Sequence, residues 1–373
     1  VSKPIIPFFS SGAMHAAVRA EVLAALARVY DSNWYVLGEE VAQFEQEYSQ
    51  FNEVAYTVGV GNGLEALTLA LRALGIGPGD EVLVPSNTYI ATWLAVTHAG
   101  ATPVPVEPDP LTSNLDPARL AAACTPRTRA IMPVHLYGQP CRMTEVMEFA
   151  TRHGLAVVED NAQAQGAAFG GQLTGSFGAV NATSFYPTKN LGALGDAGAL
   201  TTNDAALAGQ LRRLRSYGAL QKNCHELLGH NSRLDELQAA ALRVKLRQLP
   251  AWTAQRRQLA AWYDAHLAGI PGLQLPAVAA GAAPVWHLYV VHTPRRDALR
   301  QYLAAQGIET LVHYPMPPHL QPAYAPLGWR VGALPIAERL AATCLSLPLW
   351  PGMAEELVAT VAGAVRAFCE SGN

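Results

Sequence analysis

"AYTVGVGNGLEALTLALRALGI", residues 55–76, holds a strand signal and a helix signal side by side. "AYTVGVG" reads as a buried strand and "GLEALTLALRALGI" as the helix that follows it. The same alternation continues along the chain through "EVLVPS" (81–86), "ATWLAVTHAG" (91–100), "ATPVPVE" (101–107), "RAIMPVHLYG" (129–138), "VMEFATRHG" (146–154), "LAVVED" (155–160), "ATSFYP" (182–187) and "GALTTN" (198–203). Repeated strand–helix–strand units predict an α/β fold with a mostly parallel sheet covered by helices on both faces. Upstream, "VRAEVLAALARVY" (18–30) places Val18, Val22, Leu26, Val29 and Tyr30 near one side of a helix.

Beyond about residue 245 the character changes. "DELQAAALRVKLRQLPAWTAQRRQLAAWYDAHL" (235–267) reads as long helices with a break at Pro250. The Ala/Gly/Pro-rich "LPAVAAGAAPV" (275–285) reads as a loop. "WHLYVVHTP", "DALRQYLAAQGI" and a closing helix from about Glu355 can build a smaller α/β unit. The expected division is a large domain over residues 1–250, with an N-terminal arm, and a small domain over 251–373.

The 373 residues are half hydrophobic and carry a formal net charge of −3. That length supports a large core, and the near-neutral balance argues against a nucleic-acid partner. No apolar run approaches the roughly 20 residues that span a bilayer, and "VSKPIIPFFSSG" lacks a signal-peptide pattern. Cys124, Cys141, Cys224, Cys344 and Cys369 are scattered without a C-x-x-C pair, which points to reduced thiols and to no metal site. A cytoplasmic protein is the expectation.

Ligands of open α/β sheets gather at the carboxyl ends of the strands, and three polar stretches fall there. In "GVGNGLEAL" (59–67), Gly61 and Gly63 lead a strand into a helix N-terminus, which suits an anion such as phosphate. A tight turn that needs glycine reads equally well. The stretch is neither G-x-G-x-x-G nor a P-loop, which disfavours a dinucleotide or ATP and so a dehydrogenase. In "LAVVEDNAQAQG" (155–166), an apolar strand ends in Glu159 and Asp160. A carboxylate there needs a cation or donors: a protonated pyridine nitrogen, backbone amides or an arginine. In "SFYPTKNLGALGDAGAL" (184–200), Lys189 is the one cation among small and apolar residues, just past a strand. Lysines react as free amines helped by a lowered pKa. A Schiff-base lysine, an acid for a pyridinium and a phosphate cradle are the parts of a pyridoxal 5'-phosphate site.

The chain resembles the DegT/StrS family of pyridoxal-phosphate-dependent nucleotide-sugar aminotransferases, with the type I fold of the aspartate aminotransferase superfamily. The likeness is carried by "NWYVLGEEVAQFE", "GVGNGLEALTLAL", "VPSNTYIATWLAV", "PVHLYGQP", "VVEDNAQAQGA", "SFYPTKNLGALGDAGAL", "RSYGA", "HNSRLDELQAA" and "HYPMPPHL". The resemblance implies that Lys189 is the Schiff-base lysine and proton shuttle, and that Asp160 keeps the pyridine nitrogen protonated. By the same likeness Gln163 bonds the phenolic oxygen and Tyr89 stacks on the ring. Asn62, Gly63 and Ser184 would hold the phosphate, with Asn231 reaching it from the partner subunit of a homodimer. Two departures stand out: Leu64 replaces a frequent serine or threonine, and Ala197 a frequent glycine.

The "SFYPTKNLG" pattern resembles the branch that aminates C-3 of dTDP-3-keto-6-deoxyhexoses, with L-glutamate as the usual donor. The competing branch acts on UDP-linked 3-keto-glucuronic acids. Tyr35, Tyr217, His313, Tyr314 and His319 lie in stretches that match family substrate loops and are candidates to hold the sugar nucleotide, with Arg233 a candidate for the donor carboxylate. Each has a plainer reading: interfacial tyrosines, a rigid proline-rich turn, or Arg233 paired with Asp235 or Glu236. Dehydrating relatives replace the lysine with histidine, so Lys189 favours transamination. The intact set Lys189, Asp160, Gln163 and Ser184 speaks against a non-catalytic, cofactor-binding regulatory protein.

Overall fold

The computed structural model describes residues 5–221 and 223–371. Its centre is a seven-stranded sheet in the order Tyr56–Val60, Gly198–Thr202, Val180–Ser184, Ala156–Asp160, Thr128–Ile131, Glu81–Pro85, Thr102–Val106. Six strands run in one direction, and Gly198–Thr202 runs against both of its neighbours. The mostly parallel sheet expected from the strand–helix alternation is therefore present, with one reversed member. Strands such as Glu81–Pro85 are buried along their whole length, as a sheet covered on both faces requires.

Local chemistry sets the elements. Asn62 caps the helix Gly63–Ala73 by accepting the Glu65 N–H at 2.9 Å. That helix buries Ala66, Leu67, Leu69, Ala70 and Leu71 against the sheet, each leucine worth about 1.5–3 kcal/mol. The long first helix, Gly12–Ser32, buries Met14, Val18, Val22, Ala25 and Val29 at three- and four-residue spacing. Its apolar stripe lies against Ala240, Ala241 and Val244 of the helix Glu236–Leu246. The chain then turns, and Pro250 sits in the first turn of the helix Leu249–Leu267, where its missing N–H is harmless.

A separate apolar cluster forms around the antiparallel pair Tyr289–His292 and Cys344–Leu347 with the helices Leu249–Leu267, Arg296–Ala305 and Glu355–Glu370. Tyr263 and Tyr289 stack there at 4.8 Å, and their hydroxyls donate to Pro348 O and Asp264 Oδ1. Ile6 joins this cluster and pairs with Ile308, so the N-terminal segment lies on the C-terminal half. No helix among the described residues is long and apolar enough to cross a membrane.

The strand order gathers the ends Val60, Pro85, Ile131, Asp160 and Ser184 along one edge of the sheet, where the reversed strand begins: Gly198 pairs with both Val60 and Ser184.

Candidate active site

Asp160 closes its strand at that edge, 6% exposed. Its Oδ2 accepts the Thr92 hydroxyl at 2.9 Å, and its Oδ1 accepts the Ala162 N–H at 3.2 Å. Thr88, in the loop before the helix Ala91–His98, lies 3.0 Å from Thr92 and backs it. Burial raises the Asp160 pKa, while the Ala162 amide, the Thr92 hydroxyl and the Lys189 charge pull it back. The neighbouring Glu159 has a different task. Side chains alternate along a strand, so it faces away and accepts the backbone N–H groups of Gly175, Phe177 and Gly178. His135 Nδ1 accepts from Cys141 N–H, so Nε2 carries the proton and donates to Glu159 at 2.8 Å. Glu159 is spent on these amides and His135, which leaves Asp160 as the candidate carboxylate of the site.

Lys189 lies one strand over, in the loop after Val180–Ser184, its backbone N–H bonded to Tyr186 O at 2.8 Å. Burial lowers its pKa to about 8, against an opposing pull from Asp160. The nearby imidazoles stay neutral. Burial and the Lys189 charge hold His313 at about 4, and burial, Lys189 and Arg256 hold His287 well below the usual histidine value.

Ser184 and the helix N-terminus form a cradle. A Cβ on Gly63 would stand 2.6 Å from Ser184 Cβ, so only glycine lets the first turn approach this closely. The Asn62 side chain is engaged as the helix cap, which leaves the backbone amides of the first turn to face an anion. Gln165 donates to Ser184 O at 2.8 Å, and Ser232 accepts the Gly61 N–H at 3.2 Å. Leu64 packs partly against the large core beside this turn.

Gln163 and Tyr314 make a second wall. Gln163 Oε1 accepts the Tyr137 N–H at 2.7 Å, and its Nε2 donates to Tyr314 Oη at 3.1 Å. The Tyr89 ring, 54% exposed, lies 5.3 Å from that of Tyr314. His313 Nδ1 is 2.8 Å from Ser346 Oγ, and the Tyr137 hydroxyl donates to His313 O.

The remaining expected residues are placed as follows. Arg233 pairs with neither Asp235 nor Glu236; its guanidinium lies over the Tyr217 ring at 5.6 Å. Glu236 accepts the N–H groups of Gly38, Glu40 and Val41 at the start of the helix Glu39–Phe51. Tyr35 is half exposed and donates to Tyr30 O. Asn231 is exposed and pairs through its backbone with Ser216. His319 is 1% exposed, and its Nε2 lies 3.1 Å from Glu338, which also accepts the N–H groups of Gly332 and Leu334.

Sequence reasoning missed Thr92, Tyr137, Asn190 and His287. Thr88 lies in the loop before the helix Ala91–His98 and Thr92 in its first turn, so no helical spacing signals that they meet. Tyr137 lies inside "PVHLYGQP" without a distinguishing signal, and His287 is a lone histidine in the bend before the strand Tyr289–His292. No group of three or more potential metal ligands occurs among the described residues.

A model of the DegT/DnrJ/EryC1/StrS aminotransferase family matches residues 16–366. The dTDP-3-amino-3,4,6-trideoxy-alpha-D-glucose transaminase of Streptomyces venezuelae is 53% identical, over 98% of this chain and 97% of its own. Among solved structures, S. venezuelae DesV in complex with a ketimine intermediate superposes with a TM-score of 0.97 at 53% identity, covering 99% of both chains. A Bacillus subtilis protein with bound cofactor PMP gives a TM-score of 0.90 at 30% identity, over 98% of this chain and 86% of its own. The fold is that of the type I aminotransferases, as the resemblance implied.

Proposed function

The chain belongs to the DegT/DnrJ/EryC1/StrS aminotransferase family, and we propose that it places an amino group on C-3 of a dTDP-linked 3-keto-6-deoxyhexose, with pyridoxal 5'-phosphate as cofactor and L-glutamate as donor. The placement of buried Asp160 and Lys189 at and just beyond the ends of adjacent strands, where each feels the other's charge, carries this reading. The substrate class is supported by the likeness to a transaminase named for a dTDP-3-amino sugar.

The residues fit the cofactor. The close approach of Gly63 to Ser184 makes a cradle that any Cβ would fill. Ser184 and the first-turn amides would take the phosphate, Tyr89 the ring face, Gln163 the phenolic oxygen and Asp160 the protonated ring nitrogen. When bound, pyridoxal phosphate supplies an electron sink for the carbon that loses its hydrogen. The protein supplies the proton handling. Thr92 and the Ala162 amide favour the charged form of Asp160 and offset part of the penalty of burial. Lys189, lowered to about 8, has a free-amine fraction large enough to take a proton from the reacting carbon and return it. His313 and His287 are neutral and add no cation beside it.

We place the sugar nucleotide near His313 and Tyr314, which flank Lys189 and Gln163, with Tyr217 as a further contact and Arg233, which lies over the Tyr217 ring, for the donor carboxylate. We also propose a homodimer. A backbone bridge from Val36 to Asp235 brings exposed Trp34, Tyr35 and Val36 beside the segment of Asn231 and Leu237. Exposed apolar residues gathered this way suit a protein interface, from which Asn231 would reach the partner's phosphate site.

Incubating the protein with pyridoxal phosphate, L-glutamate and a dTDP-3-keto-6-deoxyhexose tests the reading by mass spectrometry of the nucleotide sugar. A 3-amino product supports it. Turnover of a UDP-linked 3-keto-glucuronic acid in its place would overturn the substrate assignment.

A further inference from the structure

The segment Val285–His287 comes from the C-terminal half yet lies between two walls of the site. Val285 N–H donates to Gly138 O at 2.9 Å, and Leu288 N–H to Tyr137 O at 3.2 Å. A Cβ on Gly138 would stand 2.7 Å from His287 N, so the two backbones are in direct contact. On the other side is Asn190, the residue after Lys189, buried at 2% exposure.

Both ends of the Asn190 amide are engaged by this segment. Its Nδ2 donates to Val285 O at 3.1 Å, which makes Oδ1 an acceptor for His287 Nδ1 at 3.2 Å. His287 therefore carries its single proton on Nδ1, consistent with the neutral ring that burial and the nearby Lys189 and Arg256 charges enforce. Arg256 braces the segment from the helix Leu249–Leu267. It is 1% exposed, and its Nη1 donates to Trp286 O at 3.3 Å and His287 O at 3.4 Å. The far side of the lysine loop is held independently by Lys245 Nζ on Gly192 O at 2.7 Å and by Leu194 N–H on Gln238 Oε1 at 2.8 Å. The bonds to Val285 and His287 are what tie the residue next to Lys189.

We propose that His287 is a positioning residue for Lys189: through its hydrogen bond to Asn190 it fixes the loop that presents the amine, and so couples the C-terminal half to the reaction. This rests on Lys189 being the reactive lysine. Freed from the bond, the loop would let water reach the amine. Besides His287 itself, the groups that act electrostatically on Lys189 or respond to it are Asp160 and His313, which lie on other segments. Since His287 is uncharged, replacing it removes a tether and no charge.

The test follows amine modification of Lys189 against pH, mapped by peptide mass spectrometry, in the full chain freed of any bound cofactor. The wild-type midpoint is expected at about 8. His287→Phe keeps a flat ring, somewhat larger, and loses the bond, and should raise the midpoint by about one unit, leaving about tenfold less free amine at pH 7. His287→Gln keeps a donor and should stay near wild type. Thermal melting checks folding, and Asn190→Ser, which breaks the same bond from the other side, serves if the phenylalanine variant does not fold. An unmoved midpoint in a folded His287→Phe or Asn190→Ser variant overturns the proposal, as does an equal shift in His287→Gln. A wild-type midpoint in the ordinary lysine range would instead contradict the assignment of Lys189 itself.

Discussion

Gly63 and Ser184 approach so closely that a methyl group on the glycine would stand 2.6 Å from the serine Cβ. Overpacking of this kind costs about 1–3 kcal/mol. It would also push the helix N-terminus away from the serine with which it shares the cradle. Gly63→Ala should weaken pyridoxal phosphate binding by about tenfold, about 1.4 kcal/mol, in a titration followed by absorbance. Unchanged affinity would mean that the phosphate is held elsewhere.

Leu64 offers the opposite test. Its backbone sits in the first turn of the helix Gly63–Ala73, and its side chain is only partly buried. Leu64→Ser adds a hydroxyl where one hydrogen bond of about 1 kcal/mol is available. Affinity for pyridoxal phosphate should rise about fivefold, measured in the same titration, with a small loss of thermal stability.

Thr92 donates to Asp160 inside the core. Thr92→Val keeps the shape and removes the donor, which lets burial raise the carboxyl pKa further. A lost bond to a buried charged group costs about 1.5–3 kcal/mol. The first half-reaction with L-glutamate should slow more than tenfold and lose rate further as the pH falls. A pH profile that superposes on that of the wild type would remove Thr92 from the account.

Lys245 gives a pH signature of stability. It is 3% exposed, and burial lowers its pKa from 10.5 to about 8. Between these values the unfolded chain keeps a proton that the folded chain has released, so this residue makes stability rise with pH across that window. Below about pH 8 the contribution is flat. Lys245→Met lacks the slope. The stability difference, measured by denaturant unfolding at pH 7, 8.5 and 10, should move toward the wild type as pH rises, by at most about 1.4 kcal/mol per unit.

The sheet and the placement of the candidate cofactor residues at its strand ends were legible because they depend on local order. Strand ends in an α/β chain predict where polar residues converge, and Asp160, Gln163, Ser184 and Lys189 all follow such ends closely. Adjacent positions were harder: "ED" at 159–160 reads the same on paper, and only strand alternation with the Gly175–Gly178 loop assigns Glu159 to structure. Arg233 was a candidate partner of Glu236 by proximity in sequence, yet Glu236 is taken by amides almost 200 residues away. His287 and Asn190 meet across 97 residues through tertiary packing, which no periodicity encodes. The N-terminal arm is similar, since Ile6 finds Ile308 only in the folded chain.

The most direct test of the central claim is the absorbance of the purified protein with pyridoxal phosphate, before and after L-glutamate, beside a Lys189→Ala variant. The account predicts a visible band from lysine-bound cofactor, its conversion by glutamate to the shorter-wavelength pyridoxamine form, and no lysine-bound band in the variant. A wild-type band that glutamate leaves unchanged would contradict glutamate-driven transamination. The absence of any band would contradict the cofactor assignment and leave Lys189 an ordinary buried lysine.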